Sequence, residues 1–228
     1  MLADVGRDLL HRTLGPLAER LSGVNPNVIT LGGFCVSLIS GVAFYLTDRH
    51  PAFFLVTAGL AITYGLFDAF DGLVARVHSK TSAWGDFLDH TSDRLAGVVV
   101  FLGVTATSHC NDVLGFLVAL GTLYHGFLGT QMEASFGFRV YRGIGIAEAI
   151  LVTVVYSLTS FSIHAAGLPF FYELPVLGGG VRLSVTDTFM LCALPLIAIG
   201  IVQRFWIARQ LARQQPAQPA GPRPGKPS

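Results

Sequence analysis

Charged residues are scarce in this chain. Of its 228 residues, 13% are charged and 52% are hydrophobic, and the mean hydropathy is +0.59. Soluble domains average about 25% charged residues. This scarcity excludes a disordered protein and most soluble enzymes. The net charge of +1 leaves no basic surface for a nucleic-acid partner.

Cysteine is scarce as well: there are three residues, with no Cys-x-x-Cys spacing. The sequence therefore indicates neither a cysteine-based zinc site nor a disulfide framework. Each cysteine lies inside or beside an apolar run, where we expect it to be a small buried hydrophobic side chain. The three are Cys35, Cys110 and Cys192.

Uncharged runs, in contrast, are abundant and approach the roughly 20 residues that a helix needs to cross a bilayer. They predict an all-α polytopic membrane protein with six transmembrane helices. The third helix must begin among acids near Trp84, because the run Leu95–Thr107 is too short alone, and the sixth should kink at Pro195. The other predicted spans are Val28–Thr47, Pro51–Phe67, Val113–Met132, Ala149–Ile163 and Thr188–Gln203.

The two ends of the chain differ from these spans. Leucines at helical spacing among charges, over residues 2–21, predict an amphipathic helix on the membrane surface, although periodicity fits an ordinary soluble helix equally well. Residues 214–228 hold five of the 11 prolines and predict a disordered cytoplasmic tail. We therefore expect one membrane domain over residues 1–213, followed by the tail.

Basic residues predict the orientation. With both termini on one side of the membrane, twelve of the 15 lysines and arginines fall on that side, and two, Arg49 and Arg182, fall on the other. The positive-inside rule then places both termini in the cytoplasm. We expect a multi-pass protein of the plasma membrane whose active site faces the cytoplasm.

Five of the 14 acidic residues lie in one window of 26 residues, 68–93. Asp68 and Asp71 are three apart at the end of the second span, and Asp89 and Asp93 are four apart at the start of the third. On helices each pair shares one face. A hairpin between the two spans would bring the four carboxylates together at the membrane boundary.

Four carboxylates at this depth are costly unless they are neutralised. An all-oxygen cluster suits magnesium, manganese or calcium, and two such ions can hold a pyrophosphate. A cation or proton pathway is the alternative, but it would place acids near the middle of several helices. Here they are crowded at one end of two.

The window resembles the CDP-alcohol phosphotransferases (CDP-alcohol phosphatidyltransferases) of phospholipid synthesis. The family signature is Asp-x2-Asp-Gly-x2-Ala-Arg-x8-Gly-x3-Asp-x3-Asp, and all eight fixed positions are present. They are Asp68, Asp71, Gly72, Ala75, Arg76, Gly85, Asp89 and Asp93. Six membrane helices with cytosolic termini also match the family across nearly the whole chain.

The resemblance implies the reaction and the site. A phosphatidyl group would pass from a CDP-activated lipid to the hydroxyl of a small water-soluble alcohol, with release of CMP. Asp68, Asp71 and Asp89 would hold two Mg²⁺ or Mn²⁺ ions with Asp93 at their edge, and Asp93 would act as general base. The CDP donor would be seated by Asn27, Thr30, Gly72, Ala75, Arg76, Ser82 and Gly85. The resemblance also implies that the protein is a homodimer embedded in membrane lipid.

The acceptor is less sharply predicted. Arg139 and Arg142 could grip a phosphate on the acceptor, although they also fit plain positive-inside topology, and Glu133 could shape the pocket. The string ending in Asp93-Arg94 resembles the inositol-phosphate branch, but that branch carries Lys-x-Arg where this chain has Gly129 and Gln131.

We expect inositol phosphate or another polyol phosphate as the acceptor. The alternative is an amino-alcohol phosphotransferase that uses CDP-choline or CDP-ethanolamine and diacylglycerol, because the pair Asp89-His90 occurs there too. A catalytically silent membrane scaffold is disfavoured by the intact signature.

Overall fold

The computed structural model describes residues 14–137, 146–176 and 179–214. Helix α1 covers residues 14–20, and six long helices follow it. Their bounds are α2 Pro26–Tyr45, α3 Phe53–Val77, α4 Ala83–Thr105, α5 Asp112–Phe136, α6 Ile146–Ala165 and α7 Val185–Gln214. Each of the six covers most of one predicted span, with ends that differ by a few residues, so the predicted helical membrane architecture is confirmed.

Five of these helices, all but α4, are long and apolar enough to cross a membrane. The outward faces carry large apolar side chains such as Val28, Leu120 and Val202, which are 63%, 62% and 66% exposed. Such faces suit lipid and not water. Helix α4 has 23 residues, but acids occupy its first half, as the short apolar run predicted. Length and composition therefore identify five spans among the described residues, and the sixth predicted span, α4, is not identified by composition alone.

A β-hairpin between α6 and α7 departs from the all-α prediction. Strand β1 (Phe171–Val176) pairs antiparallel with β2 (Gly179–Ser184), with Phe171 opposite Ser184. The prediction ended the fifth span before Gly167 and Pro169, and α6 does end at Ala165. The sequence predicts no strands after this helix, because six-residue strands beside a long apolar helix give a weak periodic signal.

The long helices alternate in direction, and neighbours pack in the order α6, α3, α2, α4, α5, α7, with a smaller contact between α7 and α6. At one end of the bundle, here called the acidic end, α3 finishes and α4 begins. The opposite end, here called the far end, holds a 3₁₀ turn (Leu46–Asp48), the α4–α5 loop and the hairpin. Both ends of the described chain lie at the acidic end, as an even number of spans requires.

Helices α2 and α4 approach each other very closely. A Cβ placed on Gly103 would collide with the carbonyl oxygen of Gly41, and one placed on Gly41 would lie 2.8 Å from the carbonyl oxygen of Val99, so neither position has room for a side chain. Small residues at a helix crossing allow this contact in membranes. The close crossing holds α4 beside α2 and thereby brings the acids of α4 near the start of α2.

The larger hydrophobic core lies toward the far end. It is built from Phe44, Phe54, Val104, Cys110, Val118, Tyr156, Phe170 and Met190. Cys110 is buried as predicted, but the prediction of burial is wrong for Cys35 and Cys192, which are exposed on α2 and α7. Many apolar side chains of these helices lie on the outer faces, so position in an apolar run does not imply burial within the protein.

Helix α1 packs across the acidic end. Ala18 is fully buried and joins a small cluster with Ile29, Leu73 and Val74. The Lys80 ammonium donates to the carbonyl oxygens of Ser22 and Val24 at 2.5 and 3.1 Å, where it covers the chain leaving α1. The rest of the helix predicted over residues 2–21, and the tail after Gln214, lie outside the described residues.

Candidate active site

The structure brings the two carboxylate pairs together. Helix α3 ends at Val77, a short turn follows, and α4 begins at Ala83 beside it. Carboxylate oxygens of Asp68, Asp89 and Asp93 all lie within 4.8 Å of one another. Asp71 lines the same cavity. The helical spacing of the motif therefore places all four acids around one point.

Two of the aspartates are held by hydroxyl groups. Thr30 Oγ1 on α2 donates to Asp71 Oδ2 at 2.6 Å, and Tyr64 Oη on α3 donates to Asp93 Oδ1 at 2.7 Å. In each case the hydroxyl comes from the helix that precedes the carboxylate in the chain. These hydrogen bonds fix the orientation of one carboxylate on each side of the cluster.

The cavity between the acids is small, with a volume of about 10 Å³. That is roughly enough for one water or one bare ion. Its lining is rich in oxygen: Thr30, Gly33, Phe34, Tyr64, Asp68, Asp71, Asp89, Ser92 and Asp93. Among the described residues, no lysine or arginine forms an ion pair with Asp68, Asp71 or Asp93.

The donor set fits a divalent cation. Carboxylates this close repel one another unless a positive charge lies between them, and hard cations such as Mg²⁺ prefer oxygen ligands. The acidic cluster can therefore hold a metal ion.

The first residues of α4 meet the start of α2. Ser82 caps α4, since its Oγ accepts from the amide of Gly85 at 3.0 Å. A Cβ on Gly85 would lie 3.1 Å from Asn27 Oδ1. The N-cap of α2 is Asn25, whose side-chain oxygen accepts a hydrogen bond from the backbone N–H of Asn27. Asn27 is therefore not the helix cap, and its side-chain carboxamide faces α4.

The end of α3 carries the remaining signature residues. The Arg76 guanidinium folds back over Gly72, because a Cβ on that glycine would lie 3.2 Å from Arg76 Nη1. Arg76 is exposed. The carbonyl oxygen of Ala75 accepts from the Lys80 amide at 2.8 Å, which closes the turn. The Arg76 guanidinium and the backbone of Gly72, which has no side chain to cover it, therefore lie side by side next to Asp71.

Helix α5 borders the other side of α4. His90 Nε2 lies 3.7 Å from Glu133 Oε2 and 3.7 Å from Asp86 Oδ1. The Arg94 guanidinium donates to the carbonyl oxygen of Gly126 and to Thr130 Oγ1 at 3.0 and 3.1 Å. Glu133 therefore lies beside α4, while Arg139 and Arg142 lie outside the described residues.

Sequence reasoning missed two polar residues near the site. Tyr64 is the donor to Asp93 described above. Arg204 on α7 donates through Nε to His125 Nε2 at 3.0 Å, and a Cβ on Gly129 would lie 2.6 Å from its Nη1. The guanidinium thus covers a bare stretch of α5 about one turn from Glu133. A lone arginine inside an apolar run was the only signal.

Comparison with known proteins supports the same assignment. A profile of the CDP-alcohol phosphatidyltransferase family matches residues 24–172, which include the whole acidic window. The chain belongs to this family. The predicted enzyme class, a membrane transferase of phospholipid synthesis, is thereby confirmed.

Individual relatives point to two branches. The archaetidylinositol phosphate synthase of Methanothermobacter thermautotrophicus is 30% identical over 162 residues, covering 69% of this chain and 78% of that protein. Cholinephosphotransferase 1 of Gallus gallus is 35% identical over 113 residues, but the match covers 44% of this chain and only 33% of that protein. The first match is the more complete.

Solved structures share the fold. The phosphatidylinositol phosphate synthase of Mycobacterium tuberculosis, in complex with manganese and citrate, has a TM-score of 0.64 and 22% identity. The match covers 85% of this chain and 88% of that one. The same protein has also been solved with CDP-DAG bound. At this identity the likeness concerns the fold.

Proposed function

We propose that this protein transfers the phosphatidyl group of a CDP-activated lipid to a hydroxyl of inositol phosphate or another polyol phosphate, releasing CMP. The observation that carries the proposal is the cluster of Asp68, Asp89 and Asp93, whose carboxylate oxygens lie within 4.8 Å of one another where the apolar helices end. A CDP-lipid places its diphosphate at this boundary, and a water-soluble acceptor reaches the same place from the aqueous side.

Asp68, Asp71 and Asp89 would hold two divalent ions, Mg²⁺ or Mn²⁺, with Asp93 at their edge. The oxygen-rich lining and the manganese in the related solved structure support this. Bound ions would neutralise the diphosphate and make CMP a better leaving group. Thr30 would keep Asp71 turned toward the ions.

Asp93 would act as the general base. The acceptor oxygen attacks the lipid-bearing phosphorus, the bond from that phosphorus to the bridging oxygen breaks, and CMP leaves with the bond electrons. The acceptor proton passes to Asp93. Its carboxylate lies within the cluster and is held by Tyr64, which supports this role, since a general base must be positioned within hydrogen-bond reach of the proton that it takes.

Asn27, Ser82 and Gly85 would seat the CDP part of the donor, together with Thr30, Gly72, Ala75 and Arg76. The contact between Asn27 and the start of α4 supports this assignment. Glycines at 72 and 85 leave backbone open to a ligand. The exposed Arg76 guanidinium suits a diphosphate, since a planar guanidinium can donate two parallel hydrogen bonds to phosphate oxygens.

A phosphate on the acceptor needs its own cation. Arg139 and Arg142 are proposed for this role, with Glu133 toward the sugar hydroxyls. Arg204 adds structural support, because its guanidinium lies over Gly129 on the face of α5 that leads to Glu133. An arginine from α7 can thus supply charge where the inositol-phosphate branch carries lysine in the sequence.

The protein is a multi-pass membrane protein. We propose further that it lies in the plasma membrane with its termini and acidic end in the cytoplasm, that residues 1–213 form the catalytic domain, and that it works as a homodimer. Alkylation of single cysteines placed at Arg49 and at Arg209, in sealed cells, tests the orientation. Only the first should react with an impermeant reagent.

The activity is tested on detergent-purified protein with CDP-diacylglycerol, Mg²⁺ and a panel of acceptors: inositol phosphate, glycerol phosphate, inositol, glycerol and serine. We expect CMP release with a phosphorylated polyol and a lipid product whose mass equals phosphatidyl plus that acceptor. Arg204→Gln should raise the KM for the phosphorylated acceptor, whereas Arg49→Gln, at the far end, should not. CMP release with serine or free inositol alone would overturn the acceptor proposal.

One observation favours a second candidate. His90 lies between Asp86 and Glu133, so two carboxylates border the α4–α5 side of the site, where a cationic amino-alcohol could bind. Part of the chain also matches cholinephosphotransferase 1. This candidate requires CMP release from CDP-choline or CDP-ethanolamine with diacylglycerol, and no release from CDP-diacylglycerol with any polyol phosphate.

A further inference from the structure

Tyr64 lies on α3 one turn before Asp68, partly buried, and its hydroxyl donates to Asp93 Oδ1 at 2.7 Å. It also lines the cavity between the four aspartates. Tyr64 is not one of the eight signature positions. Resting on the proposed function, we infer that Tyr64 is the positioning residue of the general base: it fixes one oxygen of Asp93 so that the other receives the acceptor proton.

A carboxylate that must act as a base beside metal ions faces a competition. Both of its oxygens can ligate a cation, and a bidentate ligand has no lone pair directed at the substrate hydroxyl. The phenol hydroxyl donates to Oδ1 and takes up one of its lone pairs, which disfavours bidentate ligation and makes Oδ2 the oxygen that receives the proton. A phenol keeps its own proton at neutral pH, so it orients Asp93 without replacing it.

A comparable hydrogen bond holds an aspartate on the other side of the cluster. Asp71 is held by Thr30, whose hydroxyl also lies 3.3 Å from the carbonyl oxygen of Pro26 and is therefore tied to its own helix. Asp71 is a proposed metal ligand, whereas Asp93 is the proposed base. The same kind of hydrogen bond therefore serves two functions, and removing each one should change a different kinetic parameter.

Packing fixes the tyrosine ring as well as its hydroxyl. A Cβ on Gly33 would lie 4.0 Å from Tyr64 Cδ2 and 3.1 Å from Phe67 Cβ. The glycine on α2 thus leaves the space in which the α3 side chains lie. Because the ring is held from the side of α2, the hydroxyl reaches α4 from a defined direction, as a positioning role requires.

The test is Tyr64→Phe in the full-length purified protein, with CDP-diacylglycerol and the acceptor that the panel identifies. This substitution keeps the ring and removes only the donor. We expect kcat to fall about 10- to 100-fold, the scale of a misplaced catalytic group. Both KM values and the Mg²⁺ concentration for half-maximal rate should stay within about 2-fold. Tyr45→Phe, at an exposed tyrosine where α2 ends near the far end, should leave all parameters unchanged.

Two further variants separate positioning from general structure. Thr30→Val should raise the Mg²⁺ concentration for half-maximal rate and lower kcat less at saturating Mg²⁺. Tyr64→Phe should have no further effect on the residual rate of Asp93→Asn, because a residue that acts through Asp93 has nothing left to orient. A lower rate of the double variant than of Asp93→Asn, or a change in both KM values, would assign Tyr64 a structural role and overturn the inference.

The outcomes also distinguish the inference from the function on which it rests. If the wild-type protein releases no CMP with any acceptor, the proposed function fails and the inference fails with it. If the wild-type protein is active and Tyr64→Phe has the same kcat, only the inference fails.

Discussion

The two ends of the helix bundle use polar residues in opposite ways. At the far end, His109 is 7% exposed, and both of its ring nitrogens have hydroxyl partners: Thr47 at 3.0 Å and Thr186 at 2.8 Å. Its carbonyl oxygen accepts from the Ser184 hydroxyl. At the acidic end, Asp68, Asp89 and Asp93 face one another across a small cavity.

At the far end, hydrogen bonds join separate segments of the chain, and in each bond at most one of the two partners is charged. Asp187 at the start of α7 accepts from the amides of Asn111 and Ser184 at 2.7 and 2.9 Å, and Tyr156 on α6 pairs with Thr186. Buried polar groups that are satisfied in this way stabilise a unique packing. The acidic end instead holds several carboxylates close together, and any two that are ionised repel one another unless a cation lies between them.

This difference indicates that the two ends of the bundle have separate roles. The far end, with most of the hydrophobic core, fixes the helices relative to one another. The acidic end can then keep carboxylates in an unfavourable arrangement until substrate and ions bind. Substitutions at the acidic end should therefore change mainly the reaction rate, whereas substitutions at the far end should change mainly the free energy of unfolding.

The largest expected effect is on the rate. Asp93→Asn should lower CMP release by about 10²- to 10⁴-fold, the usual contribution of a general base, because an amide cannot take the acceptor proton. The free energy of unfolding without metal should be unchanged or higher, since one of the clustered charges is gone. Asp112→Asn, an exposed acid in the first turn of α5 at the far end, is the matched control. Equal rates for Asp93→Asn and wild type would contradict the assignment.

Metal should affect stability only through the acidic end. Removal of divalent ions by a chelator should abolish activity, and Mg²⁺ or Mn²⁺ should restore it. An ion at 100 times its dissociation constant stabilises the folded state by about 2.7 kcal/mol, which thermal unfolding can detect. Asp68→Asn should lose most of this gain. If Asp68→Asn is stabilised as much as wild type, the ion binds elsewhere.

The acidic end was largely predictable from the sequence, and the far end was not. Asp68, Asp71, Asp89 and Asp93 stand out because acids are rare in apolar runs, and their spacing defines a face on any helix. The length of α4 followed from the same acids. Partners such as Tyr64 and Arg204 were missed, because a tyrosine or an arginine in a span has no sequence feature that names its neighbour.

His109 shows the physical limit most clearly. In the sequence it is an isolated histidine in a loop, whereas its partners Thr47 and Thr186 lie 62 and 77 residues away. Only the packing of α2, α5 and α7 brings them together. The hairpin escaped prediction for a similar reason, since its strands are short and are stabilised by pairing rather than by a strong local pattern.

The third expected effect is on far-end stability. His109→Ala should lower the free energy of unfolding by about 1–3 kcal/mol, because the buried hydroxyls of Thr47 and Thr186 each lose one hydrogen-bond partner. Below the unfolding transition, kcat should stay within about 2-fold of wild type. Arg49→Ala, an exposed residue at the same end, should change neither. A large loss of kcat in folded His109→Ala would mean that the two ends are coupled.

The smallest expected effect is the part of the pH dependence of stability that comes from His109 at the far end. Burial is the main cause that lowers the pKa of His109 below its ordinary 6.5, against the opposing effect of Asp48. A lowered pKa in the folded state means that the unfolded chain binds the proton more readily. The folded state is therefore fully favoured above pH 6.5 and loses stability as the pH falls below that value.

Other titratable groups face the same loop, namely Asp48, Asp187, His164 and Cys110, so the wild-type slope alone does not isolate His109. The comparison is with His109→Gln, which keeps hydrogen-bonding atoms but cannot titrate. Its thermal midpoint should fall less than that of wild type between pH 7.5 and 5.5, measured in the same detergent without metal. Identical slopes would show that His109 is not the group responsible.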